Sequence, residues 1–185
     1  MKPLDMRDIA IIDAFPVHDC RRIVLNVGCG EGRIEWYLAI QMGYRVYATD
    51  IKAPKNQPTP NTLTFHNSDI FDLSSFPVQS SPIVICSQVL EHLSGYKLAL
   101  VHLLALTEVR LIITVPYRDV FSGAGEHVNF WSDEVLRGFK DIREFVTLCH
   151  PYSTAISKIR TKPEDVQMGQ YAYLIIIDKR QGLND

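Results

Sequence analysis

The sequence predicts one α/β domain, a mostly parallel sheet with helices on both faces. Three observations predict it. Residues 23–51 read as a strand, a glycine loop, a helix and a second strand that ends in an acid. Pro82–Cys86, PIVIC, is apolar without interruption, as a strand buried on both faces of a parallel sheet should be. The 185 residues, 46% of them hydrophobic, suffice for one domain (1–185) with a sizeable core and are too apolar for a disordered chain.

The elements follow in order. Residues 5–15 have the spacing of a short amphipathic helix (Met6, Ile9, Ala10, Asp13), and Pro16 ends it. Ile23–Val27 is an apolar strand that opens into Gly28, Cys29, Gly30, Glu31 and Gly32. Ile34–Met42 carries apolar residues at helical spacing and stops at Gly43, and Arg45–Thr49 is a strand with Asp50 at its tip. Three prolines within Lys52–Asn61 forbid a helix there. Leu63–His66 is the next strand and runs into Asn67–Ile70. After the PIVIC strand come Ser87–Leu93, then a helix from about Lys97 to Leu106, on which His102 is packed or half exposed. Arg110–Val115 is a strand, and 117–131 reads as a long lid-like loop with glycines and aromatics. A helix begins at Ser132 with Glu134 and Val135 and ends near Gly138. Phe145–Cys149 reads as the sixth strand, Ser153–Gln170 as a polar connection, and Tyr171–Asp178, YAYLIIID, as the last strand. There is no internal repeat or low-complexity segment.

The glycine loop and Asp50 carry the chemistry. A glycine backbone takes positive φ and lets a ligand approach where a Cβ would stand. Ligands of open parallel sheets bind outside the carboxyl ends of the strands. Asp50 is at such an end, 22 residues after Gly28, where a carboxylate accepts from both hydroxyls of a ribose. The two features together ask for an adenosine-type ligand. The glycines are spaced G-x-G-x-G, and Arg33 stands where a dinucleotide fingerprint has its third glycine.

At VLNVGCGEG the chain resembles the class I S-adenosylmethionine-dependent methyltransferases, whose first motif looks like VLDVGCGEG; SQVLEHL, residues 87–93, is a second close match. The resemblance covers nearly the whole chain and is strongest in 23–51 and 82–93. It implies a three-layer Rossmann-like sandwich whose seven-stranded sheet has a reversed last strand beside the fifth. It implies S-adenosylmethionine as cofactor, with Gly28, Cys29, Gly30 and Gly32 around it and Asp50 on the ribose. Ile51 and Ile70 would sandwich the adenine, and Asp69 would accept from its amine; the plain alternative for Asp69 is a helix N-cap. Ser87 and Gln88 would lie beneath the sulfonium. Asn26 stands where the family usually has an acid near the cofactor's amino group, and brings no charge. The strand tip lacks the [DN]-P-P-[FY] signature of amino-methylating DNA enzymes and glutamine methylases.

Methyl transfer is an in-line displacement in which the protein supplies alignment and excludes water. A general base matters when the acceptor must lose a proton. Candidates near the tips are Glu91, His92, Tyr117, Arg118, Glu126, His127 and Trp131. His127 is the best-placed base, with a lid anchor as its alternative; His92 has a helix-start hydrogen bond as its alternative. Tyr117, Arg118 and Trp131 are the substrate-side candidates, with lid packing as theirs. No metal is expected. If one binds, Glu91, His92 and His127 resemble part of the site of the Hen-type RNA 3′-terminal 2′-O-methyltransferases, with Gln88 where that motif has its first acid.

The net charge of −2 offers no basic excess for a phosphate backbone, so a small-molecule acceptor is expected rather than nucleic acid. The acid-containing start is no secretory signal, and the apolar runs are strand length. Four scattered cysteines without C-x-x-C form neither a zinc ribbon nor a disulfide framework. A cytoplasmic protein without membrane attachment is the expectation. Two other functions stay open: the Hen-type RNA enzyme, and a non-catalytic binding module of the same fold.

Overall fold

The computed structural model describes residues 3–16, 21–54, 59–72, 77–117, 127–129, 131–132, 152–160 and 171–179. Helix α1 spans Met6–Asp13, β1 Ile23–Val27, α2 Arg33–Ile40, β2 Arg45–Asp50 and β3 Leu63–Asn67. Then come β4 (Ser81–Ser87), a 3-10 turn at Leu90–His92, α3 (Tyr96–Leu106), β5 (Thr107–Pro116), β6 (Tyr152–Arg160) and β7 (Tyr171–Lys179). The seven strands form one sheet in the order β3-β2-β1-β4-β5-β7-β6. The five on the β3 side run parallel, and β7 is antiparallel to both its neighbours. The reversed last strand beside the fifth is as expected.

Successive side chains of a strand point to opposite faces, and here both faces are covered. Val24, Ile83, Ile85 and Ile112 pack with Ile11 of α1 and with Ile34 and Leu38 of α2. Their neighbours Leu25, Val84, Cys86, Ile113 and Ile175 pack with Leu100 and Leu103 of α3 on the other face. This two-sided burial is why PIVIC shows no polar alternation.

Helix α1 starts with a reciprocal capping box: Asp8 N donates to Asp5 Oδ1 (2.9 Å) and Asp5 N donates to Asp8 Oδ2 (3.0 Å). Helix α3 passes into β5 without a linker, and Thr107 Oγ1 donates back to Leu103 O at 2.7 Å. The fifth strand is therefore longer than the apolar run Arg110–Val115 that announces it. Across the antiparallel pair, Arg110 forks onto Asp178 (2.5 and 2.9 Å) and donates to Ala14 O (2.6 Å), tying β5 and β7 to the end of α1.

One expectation fails. Residues 153–160 are not a connection but most of β6, paired with β7 from Tyr152↔Lys179 to Arg160↔Tyr171. Among the described residues the strand lies at the sheet margin, and Ile156 is 40% exposed. An edge strand needs no apolar run, so STAISKIR carries little of the pattern that marks a core strand. Arg118, the strand expected at 145–149 and the helix expected over 134–138 lie outside the described residues. No helix among the described residues is long and apolar enough to cross a membrane.

Candidate active site

A cavity of about 660 Å³ opens at the carboxyl ends of β1, β2 and β4. Its floor is the glycine loop. Gly28 N and Cys29 N both donate to Thr49 O (2.7 and 3.0 Å), which pins the loop to β2. Gly28, Gly30 and Gly32 all have positive φ, but for different ends. A Cβ on Gly28 would lie 2.1 Å from Val89 Cγ2, and one on Gly32 2.4 Å from Phe65 Cζ. Those two glycines let the loop pack. A Cβ on Gly30 would meet nothing within 4 Å, so Gly30 leaves space for a ligand.

Asp50 faces that space. Its Oδ2 accepts from Gly30 N and its Oδ1 from Lys52 N, both at 2.9 Å. A carboxylate offers about four acceptor positions, so two remain. Among the described residues no helix follows Asp69: its Oδ1 accepts from Phe71 N at 2.9 Å in a local turn. Ile51 is 69% exposed and Ile70 is buried, and both line the cavity with Asp69.

On the β4 side, Gln88 takes φ 56°, and its N–H donates to Thr114 O at 2.9 Å. Ser87 Oγ lies 2.8 Å from Thr114 Oγ1, toward which Gln88 Nε2 also points at 3.4 Å. Thr114, fully buried on β5, thus orients two cavity residues from beneath. Sequence reasoning passed over it because it sits inside an apolar strand.

Behind the loop is a pair that sequence reasoning half saw. Asn26 Nδ2 donates to Glu35 Oε1. Both residues are buried and both lie on the cavity wall. Asn26 Oδ1 and Glu35 Oε2 have no hydrogen-bond partner among the described residues. Burial pushes the Glu35 carboxyl up to about 7; its backbone and Asn26 hydrogen bonds pull the other way. Arg33, on the same helix, pairs with Asp5 and Asp8, both at 2.7 Å. Through these pairs α1 closes one side of the cavity with Arg7, Asp8 and Ile11. The signal for Glu35 was its place one turn before the buried Leu38 and Ala39 on an otherwise apolar stripe. Cys29 is no nucleophile: burial, then the carboxylates of Glu35 and Asp50, hold its thiol far above the usual range.

At the cavity rim, Glu91, His92 and His127 come together, each with one potential ligand atom within 4.8 Å of the others. Glu91 is buried and His92 exposed, and the two imidazoles meet edge to face at 4.7 Å. Residues 127–129 are held there by backbone. Val128 N and Asn129 N donate to Glu91 O (2.8 and 3.1 Å), and Asn129 Nδ2 donates to Leu90 O (2.8 Å) and Leu93 O (2.6 Å). His92 lines the cavity, as do Asn26, Cys29, Ser87 and Gln88.

Two of the three expected substrate residues, Trp131 and Tyr117, lie elsewhere. Trp131 is buried in the core against the Tyr96 ring (centroids 5.1 Å apart). Tyr117 packs on Tyr173 (5.0 Å) with Lys158 Nζ 3.6 Å above its ring, and is not among the cavity-lining residues.

Residues 25–106 match the sequence model of a family described as a methyltransferase domain. No curated protein matches the chain. Solved structures share its fold. A SAM-dependent methyltransferase from Archaeoglobus fulgidus superposes with a TM-score of 0.65 at 18% identity, over 94% of this chain and 93% of that one. The methyltransferase domain of a bacterial Hen1 gives 0.63 at 15%, over 85% and 90%. The 1,6-didemethyltoxoflavin-N1-methyltransferase of Burkholderia thailandensis, solved with its substrate and S-adenosylhomocysteine, gives 0.62 at 18%, over 86% and 71%.

Proposed function

We propose that this chain belongs to the class I S-adenosylmethionine-dependent methyltransferase superfamily and transfers a methyl group from S-adenosylmethionine to an oxygen or nitrogen of a small molecule. The observation that carries the reading is the space left above Gly30, faced by the Asp50 carboxylate in a cavity of about 660 Å³. Such a volume suits a nucleoside-sized ligand. Asp50 would hold the ribose hydroxyls, Asp69 the adenine amine, and Ile51 and Ile70 the faces of the ring. Ser87 and Gln88, neutral and fixed by Thr114, would line the reacting end. A neutral lining favours a step in which positive charge disappears.

When bound, the cofactor supplies an activated methyl on a sulfonium. The chain's own part is to orient it, to exclude water and to take a proton from an alcohol or phenol acceptor. His127, held at the rim by its neighbours' backbone bonds, is the residue for that proton. The near-neutral charge and the small-molecule enzyme among the structural neighbours support a small acceptor.

Titration calorimetry with S-adenosylhomocysteine tests the reading. Binding is expected, and Asp50→Ala should weaken it by about 1–3 kcal/mol, the cost of hydrogen bonds to a charged group. Absence of binding to the wild-type protein would sink the cofactor assignment. His127→Ala should slow turnover more than it weakens cofactor binding; the reverse would mark His127 as an anchor.

A second reading is favoured by the meeting of Glu91, His92 and His127. One carboxylate and two imidazoles suit a divalent transition ion, which could activate a terminal ribose of RNA. A bacterial Hen1 domain shares the fold. On this reading manganese stimulates turnover on RNA 3′ ends and chelation abolishes it. Turnover on small acceptors that ignores chelator returns the first reading.

A further inference from the structure

The cavity wall holds a carboxylate out of water with a single side-chain partner. Glu35 is fully buried, its Oε1 accepts from Asn26, and its Oε2 meets no donor among the described residues. Asn26 Oδ1 is in the same condition. The pair therefore presents two unmatched acceptors and, when Glu35 is ionised, one negative charge. A buried carboxylate is costly unless a cation meets it. The basic side chain on its own helix acts on it only as a charge that favours the ionised form, since the Arg33 guanidinium makes its ion pairs with Asp5 and Asp8. Asp8, from α1, adds like charge beside Glu35, and Cys29 faces it as a neutral thiol. Both members of the pair line the cavity that the glycine loop opens. What the pair lacks is a positively charged donor on its cavity side.

We propose that Glu35 supplies the negative charge that holds the ammonium group of the cofactor's amino-acid half, with Asn26 as the amide bracket that joins it to the cavity. The strand supplies the amide and the helix the acid, so the neutral residue at position 26 is compensated nine positions later. This rests on the cofactor reading above, and the experiment separates the two. Because the carboxyl titrates near neutrality, an arriving ammonium favours its ionised form, and binding releases a proton.

The probes are S-adenosylhomocysteine, which carries the ammonium, and 5′-methylthioadenosine, which lacks the amino-acid half. In the wild-type protein both bind, and affinity for S-adenosylhomocysteine rises about tenfold from pH 6 to pH 8 while that for methylthioadenosine stays level. Glu35→Gln, nearly isosteric, lowers affinity for S-adenosylhomocysteine at pH 8 by at least about tenfold, abolishes its pH dependence and leaves methylthioadenosine binding within about twofold. Asn26→Asp in the Glu35→Gln background, which exchanges acid and amide, restores the affinity. Equal loss of both ligands in Glu35→Gln, or unchanged binding of S-adenosylhomocysteine, overturns the proposal and leaves the pair a feature of the core. If neither ligand binds the wild-type protein, the cofactor reading fails first and this one with it. A Glu35→Gln protein that does not fold moves the decision to the wild-type pH series, where a level S-adenosylhomocysteine affinity overturns the proposal.

Discussion

Three glycines of one motif answer to different forces. Gly28 and Gly32 are fixed by the side chains of Val89 and Phe65, and Gly30 by the space it leaves. Gly28→Ala and Gly32→Ala should each cost about 2–4 kcal/mol, from overpacking added to a positive φ, whereas Gly30→Ala should cost only about 1 kcal/mol of backbone strain. Urea unfolding of the three variants checks this; equal losses would contradict it. Glu35 makes a pH prediction of its own. Its folded-state value of about 7 lies above the ordinary 4.5, so the folded protein keeps a proton that the unfolded chain releases. Its contribution to stability is therefore full below about pH 4.5, declines as pH rises to about 7, and is gone above. Glu35→Gln should flatten that decline and leave the ligand-free protein more stable at pH 8, by up to roughly 3 kcal/mol. Denaturant midpoints across pH 4–8 read it, and parallel wild-type and variant curves would refute it. The spacing of the glycines and Asp50 was legible because a sharp loop and a strand tip leave marks in the local sequence. The partners Val89 and Phe65 were not, since β3 and the β4 tip bring them from 33 and 61 residues further along the chain.

Elements were legible in proportion to their burial. The strands β1 and β4 stood out because both faces are covered, and β7 because its isoleucines enter both cores. The strand β6 was missed because the sheet margin asks only for pairing: Ser153–Arg160 contributes backbone while most of its side chains stay in or near solvent. The rim cluster was only half legible. Glu91 and His92 are neighbours in sequence, but His127 joins them through Asn129 bonds to the 3-10 turn, which no periodicity announces. At this scale the Arg110–Asp178 fork is the clearest coupling between strands. Both partners are partly exposed, 22% and 36%, so solvent screening keeps the pair modest. A double-mutant cycle with Arg110→Ala and Asp178→Ala should give a coupling of about 0.5–1.5 kcal/mol. A coupling of zero would show the fork to be decoration.

For the whole molecule, the order of strands decides where chemistry can sit. The crossover between β1 and β4 leaves a crevice at the carboxyl ends, and the loop, Asp50, the β4 tip and α1 all converge on it. The nucleoside side of that crevice is built from regular elements and could be read from spacing. The acceptor side is built from turns whose side chains meet only after the chain has folded. The opposite end of the sheet has a different duty. There β6 is a modest, polar ribbon laid along the flank of β7, whose YAYLIII run would otherwise be a bare border of unsatisfied amides. Peel that ribbon away and the molecule acquires an adhesive seam that invites identical copies to stack. Ser157→Pro, which breaks the ribbon at mid-length, should turn a dispersed protein into one that scatters light on standing and brightens thioflavin dye. A variant that stayed monodisperse by light scattering would show that the flank guards nothing.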